Sequence, residues 1–97
     1  MNQRELNRLL TAARQAVLDQ SYVLTPHVVL EMRNDRLDIV DIESAVLTGT
    51  IERVFDDDAR GPRFEIVGRA VDQHTVVGVV ARFVGPLLII TVYEIRS

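Results

Sequence analysis

No cysteine occurs among the 97 residues, which excludes a disulfide framework and a thiolate nucleophile. Only two histidines are present, His27 and His74. A zinc site would have to be completed by carboxylates, so no metal or other cofactor is expected. No apolar run reaches the roughly 18 residues that a bilayer span needs, and the first residues, MNQREL, are polar. No membrane partner or secretion signal is expected, and the location implied is cytoplasmic. Glycine-rich phosphate loops, nucleophile elbows and metal-ligand spacings are missing as well. Lysine is also absent, and all eleven basic residues are arginine. Guanidinium groups recognise phosphate or carboxylate through paired hydrogen bonds, but a base composition favouring arginine codons explains the count more simply. The count alone assigns no function.

What is present describes an ordinary globular chain, 47% hydrophobic and 26% charged. Its length allows one domain, with a single core between two layers. A site must then lie on one face or between subunits. A net charge of −3 argues against a strongly basic nucleic-acid binder, although a local arginine patch can act within an acidic total.

Leu6, Leu9, Leu10, Ala13, Val17 and Leu18 recur at helical spacing between Asn2 and Gln20. With Arg4, Arg8, Arg14 and Asp19 on the other side, they predict an amphipathic helix. Ser21 to Leu24 reads as a connector. Thr25-Pro26 then starts a second helix that runs to about Arg33, with Val28, Val29 and Met32 available to the core. Asn34-Asp35-Arg36 ends it. Asp38 and Asp41 resemble a capping box for a third helix, which turns Ile39, Ile42, Val46 and Leu47 inward and stops at Gly49. From Thr50 the period becomes that of strands. Ile51 to Phe55, Arg63 to Val71, His74 to Val84 and Leu87 to Ile95 are four predicted strands. The charged loop Asp56 to Gly61 follows the first, and turns at Asp72-Gln73 and Gly85-Pro86 join the others. The expected fold is therefore α+β, with the helices on one face of a four-stranded, mainly antiparallel sheet.

Two-residue turns fix the register by counting. One face collects Phe64, Ile66, Gly68, Ala70, Val77, Val79, Ala81, Phe83, Leu88, Ile90 and Val92 and is the predicted core. The other collects Arg63, Glu65, Val67, Arg69, Val76, Gly78, Val80, Arg82, Leu87, Ile89, Thr91 and Tyr93. On that face Gly78 lies between Val67 and Tyr93, leaving room for the phenol to lie flat. Arg63 and Arg82 come opposite each other, which calls for an anion between them, either Glu65 or a phosphate. The last strand, LLIITVYEI, would be adhesive at an edge. It must be interior, be covered by another part of the chain, or pair with another copy, and on this ground a homodimer is expected.

Four segments, LTPHVVLEM, DIESAVLTGTIERV, GPRFEIVGRAVD and IITVYE, occur in order after residue 21 and resemble the prokaryotic family of domain of unknown function 4258. The resemblance implies a small α+β protein akin to the RelE, ParE and BrnT toxins, some of which cleave RNA. It marks His27, Glu31, Met32, Gly49, Thr91 and Tyr93 by position. The chain departs from the family at Arg36, where many relatives have glycine, and at Gln73, where an Asp-Gly turn is usual. On a ribonuclease reading the enzyme is metal-independent, with His27 as general acid or base, Glu31 setting its tautomer and Tyr93 assisting. Arg63, Arg69 and Arg82 then hold RNA phosphates, and an antitoxin covers the face. The alternative is a non-catalytic protein-binding or dimerisation module with the same fold, favoured by the acidic charge, the missing lysine and the Asp56-Asp57-Asp58 run. His27 then merely caps or packs, and the arginines are a solvated surface pair.

Overall fold

Asn2 starts the chain's first helix by accepting the Glu5 amide on its side chain at 2.9 Å, and α1 follows over Gln3–Leu18. The structure is a computed structural model and describes residues 1–56 and 59–96. Asp57 and Asp58 of the acidic run, and Ser97, lie outside the described residues. Ala13, Ala16 and Val17 are buried on the inner stripe of α1. Two of its residues differ from expectation, because Leu18 is exposed and Arg14 points inward. Arg14 donates from Nε to the Val46 carbonyl at 3.2 Å and from Nη2 to that of Gly49 at 2.7 Å. It thereby supplies donors and positive charge to carbonyls at the end of the third helix, where the helix dipole is negative.

The segment read as a connector is a strand, β1 (Tyr22–Leu24), so the sheet has five strands rather than four. Thr25 caps α2 (Pro26–Asn34), its hydroxyl accepting the Val28 amide at 3.2 Å. The helix ends in a Schellman turn, with Leu37 N donating to Met32 O at 2.8 Å and Arg36 N to Arg33 O at 3.3 Å. Arg36 takes φ +56° there, which is why glycine suits this position better. α3 (Ile39–Thr48) begins with the Asp41 carboxylate accepting the Asp38 amide at 2.9 Å. Val28, Ile42, Ala45 and Val46 are buried, whereas Val29 and Leu47, expected inside, are exposed. β2 (Thr50–Phe55), β3 (Arg63–Arg69), β4 (Val76–Phe83) and β5 (Leu87–Ile95) complete the chain. Among the described residues, Ala13, Val17, Val28, Ile42 and Val46 of the helices share one core with Phe64, Ile66, Val77, Val79 and Val92 of the sheet. α3 approaches β3 so closely that a Cβ at Gly68 would collide with the Ala45 carbonyl.

The strand order is β1-β5-β4-β3-β2, with β1 parallel to β5 and every other pair antiparallel. β5 is thus interior, and the edge that prompted a homodimer is occupied by the chain's own β1. The β3–β4 register agrees with the count, from Phe64↔Ala81 to Arg69↔Val76. In β4–β5 it agrees only as far as Val80↔Thr91, after which the pairs are Ala81↔Ile89, Arg82↔Leu88 and Phe83↔Leu87. One extra residue, Ile90, bulges from β5. A bulge reverses the facing of every residue beyond it, so Leu87 and Ile89 are fully buried in the core and Leu88 moves to the outer face.

Candidate functional site

His27, Glu31 and Asp35 are four residues apart along α2, so all three lie on one side of it, the side turned to β5. Glu31 Oε1 accepts the Val92 amide at 3.1 Å, and Asp35 Oδ2 accepts the Glu94 amide at 2.8 Å. Four helical residues rise about 6 Å and two strand residues about 6.6 Å, so the two carboxylates match alternate amides of the strand. They close the part of β5's edge that β1, pairing only with Leu87 to Ile89, does not reach. The other Glu31 oxygen lies 3.3 Å from His27 Nε2, and the imidazole is 66% exposed. His27 and Glu31 do meet, but Glu31 is anchored by the backbone as well.

The face without helices carries a different group. Tyr93 lies flat on Gly78, where a Cβ would strike its ring, and the pairs Val67↔Gly78 and Gly78↔Tyr93 hold as counted. Glu65 is only 4% exposed. Its carboxylate is bound by Arg53 of β2, with Nε 3.1 Å from Oε1, a partner absent from the sequence reading. Arg63 lies over the Phe55 ring, 5.1 Å from its centroid, as expected of a cation over an aromatic face. Arg82 is 5% exposed, buried rather than solvated. Arg69 stands at the far end of β3, six residues from Arg63 and therefore about 20 Å away.

Two of the expected groupings consequently fall apart. Tyr93 projects from the face opposite the helices, whereas His27 and Glu31 sit at the sheet's edge on α2. Arg63 and Arg82 share one end of the face, with Arg69 at the other. Counting missed Asp35, Arg53 and Phe55. The four-residue spacing from His27 could have pointed to Asp35. Arg53 and Phe55 were not placed because the loop after β2 offers no two-residue turn from which to count its pairing with β3, where they stand opposite Glu65 and Arg63.

A larger cleft, about 880 Å³, opens between the α2–α3 turn and the β3–β4 connection and includes Asp35, Asp41, Asp72, Glu94 and Arg96. Its aspartates hold backbone. Asp41 accepts the Val71 amide at 3.1 Å, and Asp72 accepts those of His74 and Thr75 at 2.8 Å and the Thr75 hydroxyl at 2.7 Å. The Thr75 bonds chiefly lower the Asp72 pKa to about 2. None of the six nominated residues lines this cleft. No group of three or more metal-ligating side chains comes together among the described residues.

Neither the curated proteins nor the solved structures yielded a match to this chain. The family comparison did, over residues 24–94, which leaves α1 and the first two residues of β1 outside the matched span. By that match, extending from the last residue of β1 to the penultimate residue of β5, the chain belongs to the family described as domain of unknown function (DUF4258).

Proposed function

We propose that the chain is a non-catalytic binding module that receives a protein partner on the sheet face its helices leave uncovered. The observation that carries this reading is the character of that face. Val67, Val76, Tyr93 and Ile95 are half-buried or exposed around Gly78, with no helix over them. Apolar ground of this kind with a polar surround suits protein contact. The dispersal of His27, Glu31 and Tyr93 between edge and face supports the same reading.

A RelE-like toxin or toxin-derived, metal-independent ribonuclease, held by an antitoxin, is the second reading. One observation favours it: the exposed His27 imidazole lies beside an anchored carboxylate, an arrangement that orients a general base. Tightly controlled expression in bacteria separates the two. The binding reading expects unimpaired growth with wild type, His27→Ala and Tyr93→Phe alike. It also expects a photo-crosslinking residue in place of Val76 to capture a protein that an Ile95→Glu chain no longer captures. Growth arrest by wild type, relieved by His27→Ala with folding intact, would overturn it.

A further inference from the structure

β2 forms the edge of the sheet opposite β1. Which of its backbone groups the sheet uses follows from alternation, since the two residues of an antiparallel pair turn their N–H and C=O either toward each other or both away. Val92 and Glu94 turn theirs to α2, so their partners Val79 and Val77 turn toward Ile66 and Gly68 of β3. The intervening β3 residues then turn toward β2, in the pairs Thr50↔Val67, Arg53↔Glu65 and Phe55↔Arg63. Ile51 and Val54 are left with their N–H and C=O on the outer side of β2, and among the described residues no other backbone group takes these up. Glu52 is the extra residue between Ile51↔Ile66 and Arg53↔Glu65. This bulge lets Ile51 and Val54, three positions apart, share the free edge while both still pack against the core. Beside them Leu6 and Leu10 of α1, each half-buried, join Thr50 and Ile51 in lining a groove of about 290 Å³.

We propose that β2 is a self-pairing edge, joined by β2 of a second copy of this chain in an antiparallel register whose two-fold axis passes between Glu52 and Arg53. That register sets Ile51 of each copy opposite Val54 of the other, so their free N–H and C=O groups meet. It also sets Glu52 of each copy opposite Arg53 of the other, acid against base on both sides of the axis. Both side chains are exposed. Thr50 Oγ1 steadies Glu52 by donating to Oε2 at 2.8 Å, and Arg53, while holding Glu65 through Nε at 3.1 Å, has donors enough for a second carboxylate. A bulge and a pair of charges ordinarily protect an edge from chance pairing. Here they select a partner, because a strand with the same bulge keeps Ile51 and Val54 in phase and presents the complementary charges. Centring the axis on Val54 instead would bring Glu52 toward Asp56, a like-charge contact. Val54 of the second copy, lying beside Ile51, places its methyls in the groove under Leu6 and Leu10, so α1, which lies outside the family match, supplies one wall of the seat. The inference uses the sheet's edge and does not rest on the open-face reading.

Sedimentation equilibrium of the whole chain tests this, together with amide exchange and isotope-filtered NOEs on a mixture of labelled and unlabelled protein. The expected result is a monomer–dimer equilibrium in which the Ile51 and Val54 amides gain protection as concentration rises, with NOEs between the Ile51 methyls of one copy and the Val54 methyls of the other. Glu52→Arg sets like charges opposite each other on both sides of the axis and should weaken the dimer at least about tenfold. Glu52 is exposed, and the amide spectrum of the variant confirms that it folds. Val54→Pro removes an N–H that the sheet itself does not use, and should abolish the dimer in a chain that its spectrum shows to be folded. A chain that stays monomeric up to about 1 mM, a dimer whose Ile51 and Val54 amides stay unprotected, or a dimer that Ile95→Glu dissolves and Glu52→Arg does not, overturns the proposal.

Discussion

Replacing Glu31 with alanine tests whether this residue closes the sheet edge or serves only a reaction. The side chain gives the Val92 amide its acceptor at 3.1 Å, and Val92 is fully buried. A hydrogen bond to a charged group contributes about 1.5–3 kcal/mol, and an orphaned buried amide costs about 1–3 kcal/mol. These describe the same loss from two sides, and water entering the vacated space recovers part of it. We expect Glu31→Ala to destabilise the fold by about 2 kcal/mol, which lowers Tm by roughly 8–16 °C in a domain of this size. Asp35→Ala should act similarly on Glu94, and the double variant should depart from the sum because the two carboxylates stand only about 6 Å apart on one strand edge. Glu31→Gln keeps a carbonyl acceptor and should retain most of the stability. Urea denaturation measures the loss, and hydrogen exchange locates it at Val92 and Glu94. A freed β5 edge should also give concentration-dependent association, seen by light scattering. The reasoning fails if Glu31→Ala changes stability by less than about 0.5 kcal/mol, the scale of an ordinary surface substitution, and leaves Val92 protection unchanged.

Gly78→Ala should destabilise by about 1–3 kcal/mol through overpacking against the Tyr93 ring; denaturation of the Gly78→Ala/Tyr93→Ala pair should recover part of that loss, and full additivity would refute the contact. Arg36→Gly should raise stability by about 1 kcal/mol, since the position holds φ +56° and left-handed backbone is strained for other residues, and thermal melts measure the gain. The Tyr22 hydroxyl donates to Glu43 at 2.6 Å, and burial, then that bond and the Glu43 charge, push its pKa up from 10.0 to about 12. Because the folded state holds this proton more tightly, its contribution is complete below pH 10 and is lost as pH rises towards 12. Tyr22→Phe should flatten that part of the stability curve, measured by urea denaturation across the alkaline range.

How much of this was legible beforehand depends on the range over which each feature is decided. The helices follow from spacing and caps within a few residues, so Thr25, Asp38 and Gly49 marked their boundaries. The pairing of β3 with β4 follows from counting back across one short connection, which is why Tyr93 and Val67 could be placed beside Gly78 once β5 was counted as well. The same count failed close to the β4–β5 turn, where a single bulged residue exchanged Leu87 and Ile89 for Leu88. Nothing in LLIITVYEI distinguishes these positions, because apolar residues occupy both faces of the strand. The site residues were legible as types but not as partners. Arg14 looked like surface until it met carbonyls 32 and 35 residues away. Glu31 looked like a companion to His27 until Val92, 61 residues later, brought it an amide.

The sequence by itself determined the elements, their apolar faces and the α+β class, because periodicity and capping are local and each residue carries its own hydrophobicity. Only the tertiary structure decided that β1 would join the sheet parallel to β5, that α2's carboxylates would finish its edge, and that a bulge at Ile90 would turn Leu87 and Ile89 into the core. Polar and ionic groups take whichever complementary group the folded chain brings within about 3 Å, and such distances exist only after the apolar layers have packed.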